Sequence, residues 1–406
     1  MKFLLFLSTC LFCQLLQAET YYSDPVAGTP QGKGSADSPW QGLAEAVKAG
    51  HLTKLKGGDT LLLRSGMHGD VAIGGDNSSV ITITAQEGHT PQLSRLEIKQ
   101  GSKWLLKKLT ISSSFAAAPY KGYMVNLGER GASSDLTLED CFVYGELDSS
   151  QWTIEQWMNA TNGILVGRNG TNITLRNNYV LNTRFAVSVC SPDSLCEGNT
   201  IVNFSADGIR ATRDNIVVQY NIIKNAFVSD ADGDKNHDDL IQVFLFNKGK
   251  GTVKNITVRD NLLIGHDNAT QAFANMPQGI GFFDGPLVDF VVEKNVVLTD
   301  HYHGISLYGA ENCQILNNAV KSITPEGKLQ PWIMLGIKKD GVSTGNRVEN
   351  NIACSFNLKA DASVMEKENK VVTEEAFTKA MQTAQATIFE KFGETHPLTK
   401  LPKIKK

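Results

Sequence analysis

Apolar and polar residues alternate along most of the chain, and one arrangement of them recurs: apolar, any, apolar, two polar, Asn, any, apolar. It reads Ile173-Thr-Leu-Arg-Asn-Asn178-Tyr-Val180 and returns as Ile216-Val-Val-Gln-Tyr-Asn221-Ile-Ile223. Further copies surround Asn261, Asn295, Asn318 and Asn351, and weaker ones centre on Cys141 and Asn199. The centres at 141, 178, 199, 221, 261, 295, 318 and 351 lie 37, 21, 22, 40, 34, 23 and 33 residues apart. The short intervals define a unit of about 22 residues, and the long ones are that unit plus an insertion, or a unit and a half. Within each unit the apolar residues alternate, which is the period of a strand. A solenoid of strands follows: all-β, a single-stranded right-handed parallel β-helix with coils of about 22 residues.

A second strand recurs in each coil, as Asn162-Gly-Ile-Leu-Val, Phe185-Ala-Val-Ser-Val, Asp207-Gly-Ile-Arg-Ala, Asp239-Leu-Ile-Gln-Val, Gln278-Gly-Ile-Gly-Phe and His303-Gly-Ile-Ser-Leu. Its third and fifth residues are apolar and point inward, so the fourth points to solvent. Equivalent residues of successive coils stack into columns about 4.8 Å apart. The recurring asparagines are expected to form an inward ladder at a bend, bonded to the backbone of the next coil. That role is structural.

Caps are expected at the ends, where a solenoid exposes its terminal rungs. Leu43 to Val47 has the spacing of a short amphipathic helix, and Gly57 to Arg64 reads as the first strand. At the other end Thr373 to Phe392 is helical in spacing, followed by a basic tail from Lys400 to Lys406. Residues 366–406 are accordingly read as a helical cap and tail, and residues 19–365 as the β-helix. Residues 1–18 have the form of a signal peptide: Lys2, an apolar run from Phe3 to Leu16, and Ala18 at the expected cut. The run is too short for a span of about 20 residues. The expectation is a periplasmic or secreted protein, monomeric and without a membrane partner.

Charge narrows the function. The chain of 406 residues carries a formal net charge of -3, and removing residues 1–18 with Lys2 leaves 38 basic against 42 acidic residues. No basic field is present to hold nucleic acid. An anionic substrate would need basic residues concentrated locally. Five cysteines remain beyond the leader, Cys141, Cys190, Cys196, Cys313 and Cys354. Cys190 and Cys196 have the spacing to close a small loop in an oxidising compartment, and buried thiols are the other reading.

The outward column of the second strand reads Leu165, Ser188, Arg210, Gln242, Gly281 and Ser306. Large side chains are scarce in it, so a linear polymer could lie along the face with an acidic group near Arg210. Arg210 pairing with Asp207 or Asp239 is the plainer alternative. The densest polar segment, Asp230 to Asp239, is an insertion beside Arg210 and Gln242. It contains His237, with Lys235 and Lys224 flanking. Three readings of it stay open. It is a partial calcium loop on Asp230, Asp232 and Asp234, with Gly233 misplaced. It is a solvated acidic loop. Or it is an acid–base site with His237 oriented by Asp238 or Asp239. No cofactor or metal is assigned. A second cluster is Asp300-His301-Tyr302-His303-Gly304, whose two histidines share a strand face and suit substrate contact better than a metal. Trp332 and Lys338 arrive one coil later.

The run Asn236-His-Asp-Asp239 with Gln242, Gly279-Ile-Gly, Asp284-Gly, Asp300-His-Tyr-His-Gly304 and Trp332 resembles the β-helix alginate lyases of polysaccharide lyase family 31. Leu240-Ile241 stand where that family has Gly and an aromatic residue. The resemblance implies β-elimination on a uronic-acid polymer, alginate first among them. It implies His237 or Lys224 as base, Arg210 and Gln242 neutralising the substrate carboxylate, Asp239 in the catalytic set, and Tyr308 as a candidate acid. Lys235, Asp284, His301, His303 and Lys338 are implied as substrate contacts. The fold is similar to polysaccharide lyase family 6 as well. A C5-epimerase is a close alternative, since it removes the same proton. A glycoside hydrolase would pair Asp239 with His303. Their separation of 64 residues predicts nearly three coils, about 14 Å, too far for one glycosidic bond. A non-catalytic glycan-binding β-helix would show aromatics along the face and no titratable loop.

Overall fold

The computed structural model describes residues 18–230, 233, 238–244, 251–267, 271, 273, 276–324, 329–337, 343–358 and 364–393. The signal-peptide reading, the basic tail, Lys235, His237 and Lys338 lie outside the described residues.

The chain folds into a parallel β-helix whose coils each contribute three strands. One coil shows how the repeated pattern builds it. Val217–Gln219 lies on the first face, Ile222–Ala226 on the second, and Asp239–Val243 on the third. The pattern therefore straddles two faces and the corner between them. Ile216, Val218, Asn221 and Ile223 all point into the core and are fully buried. Each strand pairs in parallel with its equivalents in the neighbouring coils, as Val218 does with Cys196 and with Val258.

The corner between the first two faces is the asparagine ladder. Asn221 Oδ1 accepts the Asn199 backbone N–H at 2.9 Å and its Nδ2–H at 3.0 Å. Asn221 Nδ2 donates to the Cys196 carbonyl at 2.9 Å and to Asn261 Oδ1 at 3.0 Å. The same arrangement runs from Asn178 through Asn295, Asn318 and Asn351 to Asn369. Cys141 occupies the next position before Asn178 and contributes only its backbone N–H. The residue before each rung, such as Tyr220 at φ 57° or Asp260 at φ 54°, is left-handed. That conformation costs about 1 kcal/mol for a residue with a Cβ, and the ladder's hydrogen bonds offset it.

The termini close the two ends differently. At the start, Thr20–Ser23 pairs with Thr60–Leu63, and the helix Leu43–Lys48 buries Leu43 and Ala46. Trp40 fills the cap between Tyr21 and His51, each with its ring centroid 5.1 Å away. At the end, the helix Glu374–Phe392 does not lie over the last rung as the cap reading expects. It runs back along the second face. Ile222, Leu262, Val296 and Ala319 form an outward column there, each paired with the next, and Phe377, Ala384 and Ile388 pack on it. The cause is a break in the alternation: in these coils outward and inward positions are both apolar, as in Ile222-Ile223 and Leu262-Leu263. No helix among the described residues is long and apolar enough to cross a membrane.

The cysteines follow the buried-thiol reading. All five are free, and Cys190 and Cys196 are both buried. Burial pushes the thiols of Cys141, Cys196 and Cys313 up to about 12, which leaves them neutral packing groups.

Candidate functional site on the third face

The expected outward column exists and is continuous. Asn126, Leu165, Ser188, Arg210, Gln242, Gly281, Ser306 and Met334 are successive register partners. Their inward neighbours, Ile209, Ile241, Ile280 and Ile305 among them, are fully buried. Two aromatic-rich columns flank this line of mostly short side chains. Tyr123, Phe185 and His303 stand three positions before it and Trp332, across a register shift, two before, and Phe244, Phe283 and Tyr308 stand two positions after. The aromatic flanks are a feature that the alternation pattern does not disclose, because outward positions tolerate any residue.

Arg210 sits at the centre. Its Nε–H donates to Asp207 Oδ2, and the Arg210 side chain remains 25% exposed while that of Asp207 is 2% exposed. The guanidinium carbon lies 3.7 Å from the Phe185 ring centroid and 5.6 Å from that of Phe244. The fork is therefore fixed by an ion pair on one edge and a ring against its face, and both terminal nitrogens are left for a ligand.

Asp239 lies beneath. Its backbone N–H donates to Asp207 Oδ1 at 2.8 Å, and its own Oδ2 accepts Gln242 Nε2–H at 2.9 Å. Its other carboxyl oxygen is buried with no hydrogen-bond partner. A side chain at position 281 would bring a Cβ within 2.1 Å of that oxygen, so Gly281 is what makes room for the carboxyl. Burial, and then the charge of Asp207, hold the Asp239 pKa well above the usual carboxylate range. Asp207 is the member paired with Arg210, and burial favours the protonated form of Asp239.

This arrangement has a thermodynamic signature. Above the ordinary aspartate value of 3.8 the unfolded chain releases a proton that folded Asp239 retains. Stability from this group is complete in acid and declines as pH rises from about 4 toward the raised pKa. Asp239→Asn should remove that slope. The difference in Tm between wild type and variant, measured from pH 4 to pH 8, should shift steadily against the wild type. A difference independent of pH would mean that Asp239 is ionised in the fold.

Two rungs further on, His303 is closely held. Its Nδ1 lies 2.7 Å from Ser306 Oγ and accepts the Trp332 Nε1–H at 3.2 Å. An indole N–H only donates, so the imidazole proton is on Nε2. Burial, with His301 nearby, lowers the His303 pKa to about 3. His303 is thus a neutral donor and a poor base at neutral pH. His301 Nδ1 accepts the His303 backbone N–H at 3.0 Å, and the two rings stack with centroids 5.3 Å apart. Among the described residues no group of three potential metal ligands is assembled.

The structure brings some sequence candidates together and separates others. Arg210, Asp239 and Gln242 form one cluster. Lys224 does not join it: it stands on the second face, and its ammonium is 2.6 Å from Asp267. Tyr308 packs against Phe283 at 5.5 Å, and its coil is three rungs beyond that of Arg210, about 14 Å, too far to serve the same sugar ring. Burial raises its pKa, so the phenol stays protonated. Asp284 is exposed at the turn after Phe283. Of the three aspartates read as a partial calcium loop, only Asp230 is described. The coil count between Asp239 and His303 is corrected. Asp239 pairs with Gln278, and the next register step brings in His303, so two rungs separate them, about 10 Å. Insertions between the strands of those coils inflate the sequence distance.

No protein-family model matches the chain, and no curated protein matches it. Among solved structures it is similar to XylC in complex with xylose, with 10% identity over 82% of this chain and 75% of that one and a TM-score of 0.55. It is similar to the A-module of the Azotobacter vinelandii mannuronan C-5 epimerase AlgE4, with 14% identity over 81% and 91% and a TM-score of 0.54. The GH136 lacto-N-biosidase of Eubacterium ramulus gives 14% identity over 88% and 68% and a TM-score of 0.52. At these identities the likeness is one of fold, the parallel β-helix.

Proposed function

We propose that the chain is a secreted or periplasmic polysaccharide lyase that cuts a uronic-acid polymer, alginate first among them, by β-elimination along the third face. The observation that carries the reading is Arg210: a half-buried guanidinium, fixed by Asp207 and Phe185, with two terminal nitrogens open on a line of short side chains. The resemblance of the His237 and His303 segments to polysaccharide lyase family 31 supports it.

The chemistry follows from the substrate. The C5 proton of a uronate is weakly acidic because the adjacent carboxylate resists a second negative charge. Arg210, with Gln242 beside it, pairs with that carboxylate and makes the carbanion-like state accessible. Asp239 contributes by being neutral, since an ionised carboxylate there would repel the substrate's own. A base on the inserted loop, His237, takes the C5 proton. The electron pair forms the C4–C5 double bond, the C4–O bond breaks, and the departing oxygen takes up a proton from solvent or from Lys235. The flanking aromatics and His303 hold neighbouring sugar rings.

Hydrolysis is the second reading, and one observation favours it. Asp207 and Asp239 lie on adjacent rungs, the first paired with Arg210 and the second with its pKa raised by burial, and one rung is about the 5 Å that separates a nucleophile from an acid in retaining hydrolases. The aromatic flanks alone would serve a binding protein, but a binder has no need of the buried acid pair.

The test is incubation of the mature chain with polymannuronate, polyguluronate, glucuronan and polygalacturonate. Near-ultraviolet absorbance of the unsaturated product and reducing-end release are followed together. A rise in both on one polymer is expected. Reducing ends without unsaturation would replace elimination by hydrolysis, and neither signal on any polymer would overturn both.

A further inference from the structure

Upstream of Arg210, at the corner where the second face turns into the third, a cavity of about 420 Å³ opens to solvent. It is lined by Ser113, Glu146, Trp152, Gln156, Asn159 and Thr161, among others. Nothing in the chemistry proposed above uses it.

The cavity is built on rigid parts. The short helix Ile154–Met158 starts at a reciprocal cap, in which Thr153 accepts the Gln156 N–H and Gln156 accepts the Thr153 N–H. Trp152 rests edge-on against Trp157 with centroids 4.6 Å apart, and Trp157 stacks on Phe227 at 4.2 Å. Trp157 is fully buried, and its carbonyl accepts the Ser205 hydroxyl at 2.7 Å. Trp152 is fixed by this stack and half-buried, and among the described residues its indole N–H has no acceptor. Gln156 uses its carbonyl oxygen in the cap and leaves its amide N–H groups available, and Asn159 uses its amide N–H on the Glu155 carbonyl and leaves its oxygen.

An aromatic wall with an unpartnered N–H, surrounded by hydroxyls and amides, matches one class of ligand. A pyranose presents C–H groups on its faces and hydroxyls on its rim. Trp and Tyr serve such contacts because one side chain offers an apolar surface and a polar tip. The volume is that of a small-ligand site. With Glu146 in the lining, a uronate ring would sit with its carboxylate turned to solvent and be recognised through its hydroxyls. The position fits a chain on the third face: Thr161 leads directly into Asn162, whose column continues through Phe185 to Asp207, two rungs or about 10 Å away.

We propose that this cavity is a second saccharide site, which holds one sugar ring of a glycan chain against Trp152 upstream of Arg210. Its role in positioning a substrate rests on the reading of the third face as a glycan-binding face, and the binding itself does not.

The experiment is calorimetric titration of the full mature chain with a mannuronate hexasaccharide and with cellohexaose, on wild type, Trp152→Ala, Trp152→Phe and Arg210→Ala. Binding of at least one saccharide is expected, weakened tenfold or more by Trp152→Ala. Cellohexaose binding should survive Arg210→Ala, because the neutral chain makes no ion pair there. Trp152→Phe keeps one aromatic ring against Trp157 and loses the N–H together with the second ring of the indole, so it should fold and bind a few-fold more weakly. It decides the matter if the alanine variant fails to fold. Failure of the wild type to bind either saccharide, or unchanged affinity in the Trp152 variants, would overturn the proposal. Binding at Trp152 with no unsaturated product from any polymer would overturn the lyase reading alone.

Discussion

Arg210→Ala should lower kcat/KM on the acidic polymer about a thousandfold, the upper end of what removing one preorganised charge-stabilising group costs. The effect should fall on kcat more than on KM, because the negative charge that Arg210 meets grows as the C5 proton leaves. The substitution has a structural consequence that must be separated from the catalytic one. Asp207 loses its ion-pair partner at Nε while still facing Asp239, so two buried carboxyls share one site with no cation. Thermal stability at neutral pH should fall with activity. Arg210→Lys separates the two. It keeps a positive charge near Asp207 but loses the planar fork and its stacking on Phe185. It should restore most of the Tm and little of the rate. Recovery of full activity in the lysine variant would show that a point charge suffices and that the fixed fork is not what the reaction needs. An unchanged rate in Arg210→Ala would remove Arg210 from the mechanism.

The largest stability loss is expected from the ladder, with Asn221→Ala. The side chain makes and receives bonds in both directions along the helix axis. Truncation strands the Asn199 backbone N–H and the Cys196 carbonyl in a dry interior. At about 1–3 kcal/mol for each buried group left unpaired, the loss should be about 2–6 kcal/mol. Asn199 Nδ2 limits the damage, since it retains the Leu175 carbonyl at 3.0 Å. Asn369→Ala makes the control. It stands at the last rung, is only partly buried, and has no further asparagine to serve. Its cost should be near 1 kcal/mol. Urea midpoints at constant m-value measure both. Equal losses at the two positions would mean that the ladder acts rung by rung, without the penalty of burial.

Much of this architecture is legible in the sequence because the coil has a chemical period. Asn at one corner and paired inward Ile or Val on the third face repeat with little variation. The ladder and the outward column through Arg210 and Gln242 could therefore be read directly. What could not be read was anything measured in coils. The interval between Asp239 and His303 suggests three rungs and spans two, because inserted segments add residues without adding height. Lys224 is close to Asp239 in sequence and on another face in space, since the corner between them turns its strand away. The docking of the last helix was visible only as a doubling of apolar residues in Ile222-Ile223, Leu262-Leu263 and Val296-Val297, a departure from alternation that is easily taken for a stronger core. Asp207 lay in the right column, but its hold on both Arg210 and the Asp239 backbone depends on side-chain geometry that no spacing encodes.

A stack of coils ordinarily behaves as a one-dimensional chain of neighbours, able to fray from either end at a cost set by one interface at a time. The helix Glu374–Phe392 changes that connectivity. It touches the strands Leu262–Ile264, Val296–Leu298 and Ala319–Lys321 along one line, its Glu374 is 2.6 Å from Lys321, and its Phe392 reaches Gly198. Rungs that are not neighbours thus share a common partner, and none of them can open without stripping the helix from the rest. Unfolding across this stretch becomes collective. Phe392 reaches the coil of Arg210 itself, and the coil of Asp239 is the next one toward Lys321. The registry of residues contributed by different rungs is held there by a strut outside the sheet as well as by the sheet's own hydrogen bonds.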